Sequence, residues 1–307
     1  MSKSKTCHPG LYLWHDVSAS LGMKITEITR DSIDVHALRK GAGHKYEHGH
    51  ALVVCGGPGQ TGAARLAARG ALRIGAGAVS LAVSPSAQME VAGHVTAVML
   101  RRVTDGRALH ELLQDARINA VCIGPGMGMS AREAALVRCV LDSGAATVLD
   151  ADALTLLAQD AALFALLHKG CVLTPHAGEF TRLFPTLAAR WADDPAYSKL
   201  HAARDAAQLA GCTVLLKGVE TVIAAPSGMC SIHHATGDRA VPWLATAGAG
   251  DVLSGFITGL LARGWSAVAA ARTATWLHVE SARQFGPGLI AEDLPDGLPQ
   301  VLRQLGV

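Results

Sequence analysis

The segment ALVVCGGPGQTGAARLAARGALRIGAGAVSLAV, residues 51–83, decides the fold class. It begins and ends with an apolar run of strand length, ALVVC at 51–55 and AVSLAV at 78–83, and a helix-length stretch separates the two runs. Runs that are apolar throughout are typical of strands buried on both faces of a sheet. A buried strand, a crossover helix and a second buried strand indicate the βαβ unit of a parallel sheet.

The same alternation continues along the chain, where helix-length stretches separate further apolar runs. Four of these runs predict strands: NAVCIG at 119–124, ATVLD at 146–150, CVLT at 171–174 and TVLLK at 213–217. After Thr221, two short runs joined by Ser227-Gly228 indicate an antiparallel hairpin at the edge of the sheet.

The C-terminal part of the chain predicts helices at 249–263 and 266–285, with a last helix after Glu292. The sequence contains no internal repeat, low-complexity tract or Pro-rich linker, which favours a single domain. We therefore predict an N-terminal extension at residues 1–40, followed by one α/β domain at residues 41–307.

Composition favours a cytoplasmic protein that acts on a small molecule. Of the 307 residues, 50% are hydrophobic and 17% are charged, which allows a large core and excludes a disordered chain. The formal charge of +2 includes no basic run that would indicate a nucleic-acid partner. Neither a signal peptide nor a membrane span is predicted, because no apolar segment is long enough. Seven cysteines include no CxxC pair, which favours reduced, buried thiols over a metal site.

The first glycine-rich junction, GPGQTG at 57–62, formally matches the dinucleotide fingerprint GxGxxG. Three details disfavour a nicotinamide-dependent oxidoreductase or a Walker-type loop. The second strand is followed by Ser84, so no acidic residue is available to bind a ribose, and Pro58 lacks a backbone N–H. Ala63 stands where a Walker loop has lysine. The junction is therefore interpreted as a bare turn over which another ligand lies.

The second junction, GPGMG at 124–128, also lies between a predicted strand and a helix. Its glycines serve either a tight turn alone or the close approach of a substrate to the backbone. Local sequence does not distinguish these two interpretations.

The third junction is Gly248-Ala249-Gly250-Asp251, at the start of the predicted 249–263 helix. Its small residues allow a phosphate to approach the unpaired N–H groups of the first helical turn. Asp251 is then either a helix cap or the base that takes a proton from an attacking hydroxyl during phosphoryl transfer.

These motifs together resemble a known family. The set GAGD at 248–251, KGVET at 217–221 and TPHAGE at 174–179 resembles the ribokinase-like superfamily, and within it the ADP/ATP-dependent NAD(P)H-hydrate dehydratases. The resemblance extends from about His44, through LDADAL at 149–154, to the helix after Asp251. It implies an α/β fold: a ribokinase-like three-layer α/β/α sandwich with a mostly parallel central sheet and an antiparallel edge hairpin.

The resemblance also implies an activity. The enzyme would be a carbon-oxygen lyase of nucleotide repair that acts on the (6S) hydrate of NADH or NADPH, with ADP or ATP as co-substrate and Mg²⁺ as cofactor. Phosphorylation of the hydrate hydroxyl would convert a poor leaving group into phosphate, whose loss restores the reduced nucleotide. The family pattern further implies a cytoplasmic homo-oligomer, with a tetramer as one form, and an epimerase on a separate chain.

Two other functions remain open at this point. A kinase of the same fold would phosphorylate a vitamin-precursor alcohol of hydroxymethylpyrimidine or hydroxyethylthiazole type, although TPHAGE and GPGMG favour a dinucleotide. A nucleotide-binding regulatory protein without catalysis would gain nothing from the Asp251 carboxylate beside phosphates.

The family resemblance assigns site residues position by position. Asp251 would be the catalytic base and would contact the hydrate together with Ala63, Gly126 and His176. Glu179 would help to hold Mg²⁺ through water. The adenine nucleotide would contact Lys217, Gly218, Val219, Glu220, Thr221 and Gly250. The anion hole would consist of Gly248, Ala249 and Gly250. Related sequences commonly carry Thr or Ser at the position of Ala249, so one hydroxyl donor is missing from this hole.

Two further sets of side chains have more than one interpretation. The histidines of HKYEHGH, His44, His48 and His50, suggest a transition-metal site, but the sequence supplies no further ligands to complete it. Asp150 and Asp152 either bind a cation or cap the turn after ATVLD.

Overall fold

A ten-stranded sheet forms the centre of the protein, and the computed structural model describes it within residues 25–307. Its strands are β1 (Ile25–Glu27), β2 (His50–Val54), β3 (Ala78–Val83), β4 (Met99–Arg102), β5 (Ile118–Ile123), β6 (Ala146–Leu149), β7 (Cys171–Leu173), β8 (Thr213–Leu216), β9 (Glu220–Ala224) and β10 (Cys230–His234). They lie side by side in the order β1-β10-β9-β8-β7-β6-β5-β2-β3-β4. Neighbouring strands are parallel except that β9 runs antiparallel to both β8 and β10.

Helices cover both faces of this sheet. They are α1 (Val35–Leu38), α2 (Gly62–Arg73), α3 (Gln88–Ala92), α4 (Gly106–Leu113), α5 (Ala131–Asp142), α6 (Asp152–Gln159), α7 (Ala161–Phe164), α8 (Ala177–Leu183), α9 (Pro185–Asp193), α10 (Lys199–Ala210), α11 (Ala249–Ala262), α12 (Ala267–Phe285) and α13 (Asp293–Leu305). Short 3-10 turns lie at Arg30–Ser32, Lys45–His48, Pro85–Ala87, Gly237–Arg239 and Pro242–Leu244. Within residues 25–307, none of the helices is both long and apolar enough to cross a membrane.

Two hydrophobic cores separate the layers, one on each face of the sheet. Alternate residues of a strand enter opposite cores, so that Val53 joins the core under α2, α11, α12 and α13, whereas Leu52 joins the core under α4 to α10. The three-layer α/β/α arrangement and the mostly parallel sheet are thus confirmed. The predicted hairpin is also confirmed as β9 and β10.

The N-terminal segment changes the edge of the sheet. Strand β1 pairs in parallel with β10, so the β9–β10 hairpin lies one strand in from the edge. The hairpin was predicted at the edge, and that part of the prediction is wrong. Ile28, Ile33 and Leu38 are buried in the core that contains α11. The part of the predicted 1–40 extension that the structure describes, from residue 25 onward, therefore packs with the domain; residues 1–24 lie outside the described residues.

Helix α11 is buried on nearly all sides and lies directly against α2. Every α11 residue except Gly250 and Asp251 is buried. A Cβ atom on Gly255 would lie 2.1 Å from the Ala67 carbonyl oxygen, and one on Gly259 would lie 2.6 Å from that of Ala71. Because these two glycines lack side chains, the two helix backbones are in contact, and the start of α11 is fixed relative to α2.

Candidate active site

The predicted site residues lie at the carboxyl end of the sheet. The loops after β2, β5, β7 and β8 supply most of them, and the first turn of α11 lies over the same edge. A Cβ atom built on Gly250 would lie 3.5 Å from Lys217 Nζ, which brings the third glycine junction next to the turn after β8. This end of the strands is where open α/β sheets bind ligands.

A buried ion pair forms the base of the site. Asp150, whose side chain is 2% exposed, accepts hydrogen bonds from Lys217 Nζ at 2.8 Å and from Ser254 Oγ at 2.7 Å. The Ala151 N–H donates to the same carboxylate at 2.9 Å. Burial lowers the pKa of Lys217, but the Asp150 and Glu179 carboxylates outweigh burial, so the pKa is raised and the ammonium stays charged. Asp150 therefore positions Lys217, a role that neither interpretation of the sequence included.

Asp251 lies beside this pair with an unusual proton affinity. Burial first, and then the negative charge of Asp150, raises its pKa to about 7. Glu179 acts in the same direction, whereas Lys217 opposes the rise. A carboxyl group with this pKa can both accept and release a proton near neutral pH, which suits a general base.

His176 and Glu179 hold each other at the start of α8. The His176 Nδ1 accepts hydrogen bonds from the Gly178 N–H at 2.9 Å and the Glu179 N–H at 3.4 Å, while Glu179 Oε2 accepts from the His176 N–H at 2.8 Å. This reciprocal arrangement is a capping box. Glu179 Oε2 also lies 3.7 Å from Lys217 Nζ. The His176 side chain is 56% exposed to solvent, whereas the Glu179 carboxylate is buried.

The first two glycine junctions form a depression of about 540 Å³. Ala63 and Gly126 face each other there, because a Cβ on Gly126 would lie 3.4 Å from the Cβ of Ala63. Glu90, from α3, holds the first junction by accepting hydrogen bonds from the Gly59 N–H at 2.8 Å and from Thr61 Oγ1 at 2.5 Å. No motif marks Glu90 in the sequence, and only the contact reveals its role.

A side chain distant in sequence, Lys199, also supports the turn after β8. Lys199 Nζ donates to the carbonyl oxygen of Lys217 at 3.0 Å and to that of Glu220. Burial lowers the pKa of Lys199 to about 8 against the opposing effect of the Glu220 carboxylate. Thr221 Oγ1 donates to the Gly218 carbonyl at 2.9 Å, and the Val219 side chain projects into solvent. These bonds fix the backbone of the 217–221 turn, and sequence reasoning missed Lys199.

The first turn of α11 has the geometry of an anion hole. Gly248 has a φ of +87°, a conformation that favours glycine, and it precedes the unpaired N–H groups of Gly250 and Asp251. The Ala249 N–H, which was predicted to belong to the anion hole, instead donates to the Thr246 carbonyl at 3.4 Å. Burial lowers the pKa of His278 to about 4, so its neutral ring donates through Nε2 to the Ala249 carbonyl at 2.8 Å. Ala249 itself is buried, and this bond from α12 fixes its peptide. His278 carried no recognisable signal in the sequence.

Potential metal ligands do not cluster in the described part of the chain. Within residues 25–307, no group of three or more His, Cys, Asp or Glu side chains is arranged to hold a metal ion. Of the histidines in HKYEHGH, His50 is buried and its Nε2 lies 2.9 Å from Ser80 Oγ. Asp152 accepts a hydrogen bond from the Gly128 N–H at 2.9 Å and so supports the second glycine junction.

The buried pair predicts a large loss of stability when Lys217 is replaced. We expect Lys217→Met to lower the free energy of unfolding by about 3 to 5 kcal/mol, because the Asp150 carboxylate is left buried without its partner. Adding Asp150→Asn should recover part of this loss. Chemical denaturation at pH 7 measures both, with the exposed Lys169→Met as the matched control. Equal stability of the Lys217 and Lys169 variants would contradict the pairing.

Comparison with known proteins places this chain in a family. The chain matches the NAD(P)H-hydrate dehydratase family over residues 51–298. It is 40% identical over 281 residues to a bifunctional NAD(P)H-hydrate repair enzyme of Moorella thermoacetica, and the aligned region covers 87% of this chain and 52% of that protein. It is 33% identical over 297 residues to an ADP-dependent (S)-NAD(P)H-hydrate dehydratase of Xanthomonas campestris. That alignment covers 92% of this chain and 98% of the relative.

Similarity extends to a solved structure. The ADP/ATP-dependent NAD(P)H-hydrate dehydratase of Bacillus subtilis, co-crystallised with ATP/Mg²⁺, superposes with a TM-score of 0.75 and 26% identity, over 92% of this chain and 99% of that one. The chain spans about half the length of the bifunctional relatives it matches. The family match over most of the chain and the shared fold lead to one conclusion: the chain belongs to the NAD(P)H-hydrate dehydratase family.

Proposed function

We propose that the protein is an ADP- or ATP-dependent NAD(P)H-hydrate dehydratase. It converts the (6S) hydrate of NADH or NADPH back to the reduced nucleotide, and it releases phosphate with AMP or ADP. The observation that carries this proposal is the position of Asp251, a carboxyl group with a pKa of about 7 at the open N-terminus of a buried helix. Family membership supplies the substrate class.

The first chemical step is phosphoryl transfer to the hydrate hydroxyl. Asp251 takes the hydroxyl proton while the oxygen attacks the terminal phosphorus of the nucleotide. The N–H groups at the start of α11, behind Gly248, stabilise the charge that develops on the phosphoryl oxygens. The Lys217 ammonium, held by Asp150 within contact distance of the Gly250 position, adds positive charge to the same place.

The second step is elimination. The lone pair of the ring nitrogen expels the new phosphate, and loss of a proton from the neighbouring ring carbon restores the double bond. Phosphate is a better leaving group than hydroxide, and this difference explains why kinase geometry serves a dehydration. The balance is one hydrate and one ADP giving one reduced nucleotide, AMP and phosphate.

The remaining residues take the roles that the family pattern implies. The adenine nucleotide contacts Lys217, Gly218, Val219, Glu220, Thr221 and Gly250. The exposed Val219 and the short distance between Lys217 and the Gly250 position support this assignment. Ala63 and Gly126 face the hydrate across the depression they share, and the exposed His176 contacts it as well.

The site offers one buried carboxylate, that of Glu179, as a possible ligand for Mg²⁺. Mg²⁺ is usually held by one or two carboxylates together with phosphate oxygens and water. Glu179 offers a buried carboxylate here, but its Oε2 already accepts from the His176 N–H, so it would act through water. The ion would neutralise phosphate charge during transfer.

Three broader assignments stay predictions. They are the cytoplasmic location, assembly into a homo-oligomer such as a tetramer, and cooperation with an epimerase on a separate chain. The kinase for a vitamin-precursor alcohol is the competing function for the same geometry.

An absorbance assay tests the proposed function. The full-length protein is incubated with NADPH hydrate and Mg²⁺, with ADP, with ATP or without nucleotide. We expect the absorbance of the reduced ring to return only when a nucleotide is present, and to stop returning when EDTA removes Mg²⁺. Absence of recovery with both nucleotides, together with phosphorylation of hydroxymethylpyrimidine or hydroxyethylthiazole, would instead identify the kinase.

A further inference from the structure

A second cleft, of about 640 Å³, lies on the β3–β4 side of the candidate site. Helix α2 forms one wall, and the segment 94–98, which leads into β4, contributes the other. Gly62 lines both this cleft and the depression that contains Ala63 and Gly126. The two spaces therefore adjoin at the N-terminus of α2.

The cleft also borders the first turn of α11. Leu66 lines the cleft, and a Cβ on Gly248 would lie 2.6 Å from Leu66 Cδ1. On its other side Gly248 approaches Ala291, the neighbour of the cleft residue Glu292. A ligand whose reacting end lies at Asp251 can thus continue past Gly62 into this cleft.

Strand order separates the cleft from the proposed nucleotide turn. The turn follows β8, and the cleft lies beside β3, five strands away. At the usual strand spacing this is about 24 Å. The phosphoryl donor and the cleft therefore lie on opposite sides of Asp251, and the cleft is free for the acceptor molecule.

One arginine in the cleft has a buried side-chain nitrogen that no acceptor among residues 25–307 reaches. Arg65, Arg69 and Arg73 recur every four residues on one face of α2, about 6 Å apart along its axis. Arg69 and Arg73 both bind Asp296, at 2.5 and 2.8 Å. Among residues 25–307, Arg65 forms no ion pair within 4 Å, although the Glu90 carboxylate interacts with its charge from a longer distance. The Arg65 Nε is buried without a hydrogen-bond partner. A buried donor without an acceptor is costly, and a guanidinium is well suited to phosphate.

We propose that this cleft binds the adenosine half of the dinucleotide hydrate, with Arg65 bound to the diphosphate that joins the two halves. The proposal rests on the proposed function, which places the hydrated ring at Asp251. The covalent order of the substrate, ring, ribose, diphosphate and adenosine, then follows the order Asp251, Gly62, Arg65 and cleft. The apolar side chains of Leu66, Leu72 and Val95 provide the wall for the adenine base.

The test compares the dinucleotide with a substrate that lacks phosphate. Arg65→Gln and the cleft-filling Ala97→Trp are assayed with NADH hydrate and with the hydrate of reduced nicotinamide riboside, which keeps only the ring and one ribose. We expect each variant to lower kcat/KM for NADH hydrate about tenfold or more, mainly through KM, and to leave the riboside within about twofold. Arg107→Gln, at an arginine whose side chain is 88% exposed, is the matched control and should change neither value.

The outcomes separate the two proposals. Equal losses with both substrates would show that Arg65 only maintains the structure and would overturn the cleft assignment, while the dehydratase function would stand. Unchanged kcat/KM for NADH hydrate in both variants would also overturn the cleft assignment. A wild-type protein that converts neither hydrate would refute the proposed function and this inference with it.

Discussion

Replacing Asp251 with asparagine should lower kcat for hydrate dehydration by about a hundredfold to ten-thousandfold. Asparagine keeps the size of the side chain but cannot accept the proton of the attacking hydroxyl. Nucleotide binding should persist, because Lys217 and the N–H groups of α11 are unchanged. Single-turnover kinetics and nucleotide titration measure the two effects, with the exposed Asp193→Asn as the control. A fully active Asp251→Asn enzyme would remove Asp251 from the mechanism.

The same residue gives the wild-type enzyme a characteristic pH dependence. Burial and the Asp150 charge raise the pKa of Asp251 to about 7 in the folded protein, whereas an unfolded aspartate titrates near 3.9. Because only the ionised carboxylate accepts a proton, kcat/KM should fall as the pH drops below about 7. A profile that stays flat between pH 5 and 8 would argue against this base.

Stability should vary in the opposite direction. Between about pH 4 and pH 7 the folded protein binds a proton at Asp251 that the unfolded chain has released, so the contribution of Asp251 to stability is lost as the pH rises through that range. Asp251→Asn should therefore be more stable than the wild type by a few kcal/mol above pH 7 and about equal to it near pH 4. Urea unfolding at the two pH values measures this difference.

The second large effect concerns the glycines of the anion hole. Gly248→Ala should lower kcat/KM by at least about a hundredfold and also destabilise the protein. Alanine is strained at a φ of +87°, and its Cβ would lie 2.6 Å from Leu66 Cδ1 and 2.9 Å from the Cβ of Ala291. The first turn of α11 must shift to relieve these contacts, and its N–H groups then no longer point at the phosphoryl group.

Gly250→Ala separates the loss of stability from the loss of phosphate binding. Its Cβ would meet nothing closer than Lys217 Nζ at 3.5 Å, and alanine favours a helix by about 0.5 to 1 kcal/mol. We expect Gly250→Ala to match or exceed the wild type in melting temperature but to lose most activity, because its methyl group lies where the phosphate approaches. Gly41→Ala, at a position with nothing within 4 Å, is the control for both variants. Full activity of Gly250→Ala would contradict a phosphate at this turn.

The fold was largely predictable because its elements carry strong local patterns. The run at 51–55 is shifted by one residue from β2, the run at 213–217 extends one residue beyond β8, and the 78–83 run is β3. Two strands were missed for a physical reason. β1 has three residues, and β4 reads MLRR, so neither is a continuous apolar run, and both are defined by pairing with a distant strand. Pairing of β1 also moved the hairpin away from the edge.

The site was predictable only where a motif marks it. Glycine junctions and short polar motifs after strands indicated Asp251, Lys217 and His176. Lys199, Glu90 and His278 lie on helices without a motif. Lys199 and Glu90 each bind a backbone group of a distant loop, and His278 binds the first residue of α11. Such supporting side chains are recognisable only by proximity in three dimensions, and periodicity and spacing carry no information about it.

The contact between α2 and α11 bears on how the enzyme can close around its ligands. Helix α2 begins beside Ala63 and α11 begins beside Asp251, and Gly255 and Gly259 bring the two backbones together. Ala63, which is proposed to face the hydrate, and Asp251, the proposed base, therefore lie on two helices that form one rigid unit. We expect any closing movement to come from the 235–247 segment, so that hydrogen exchange slows there when ligands bind and hardly changes along the two helices.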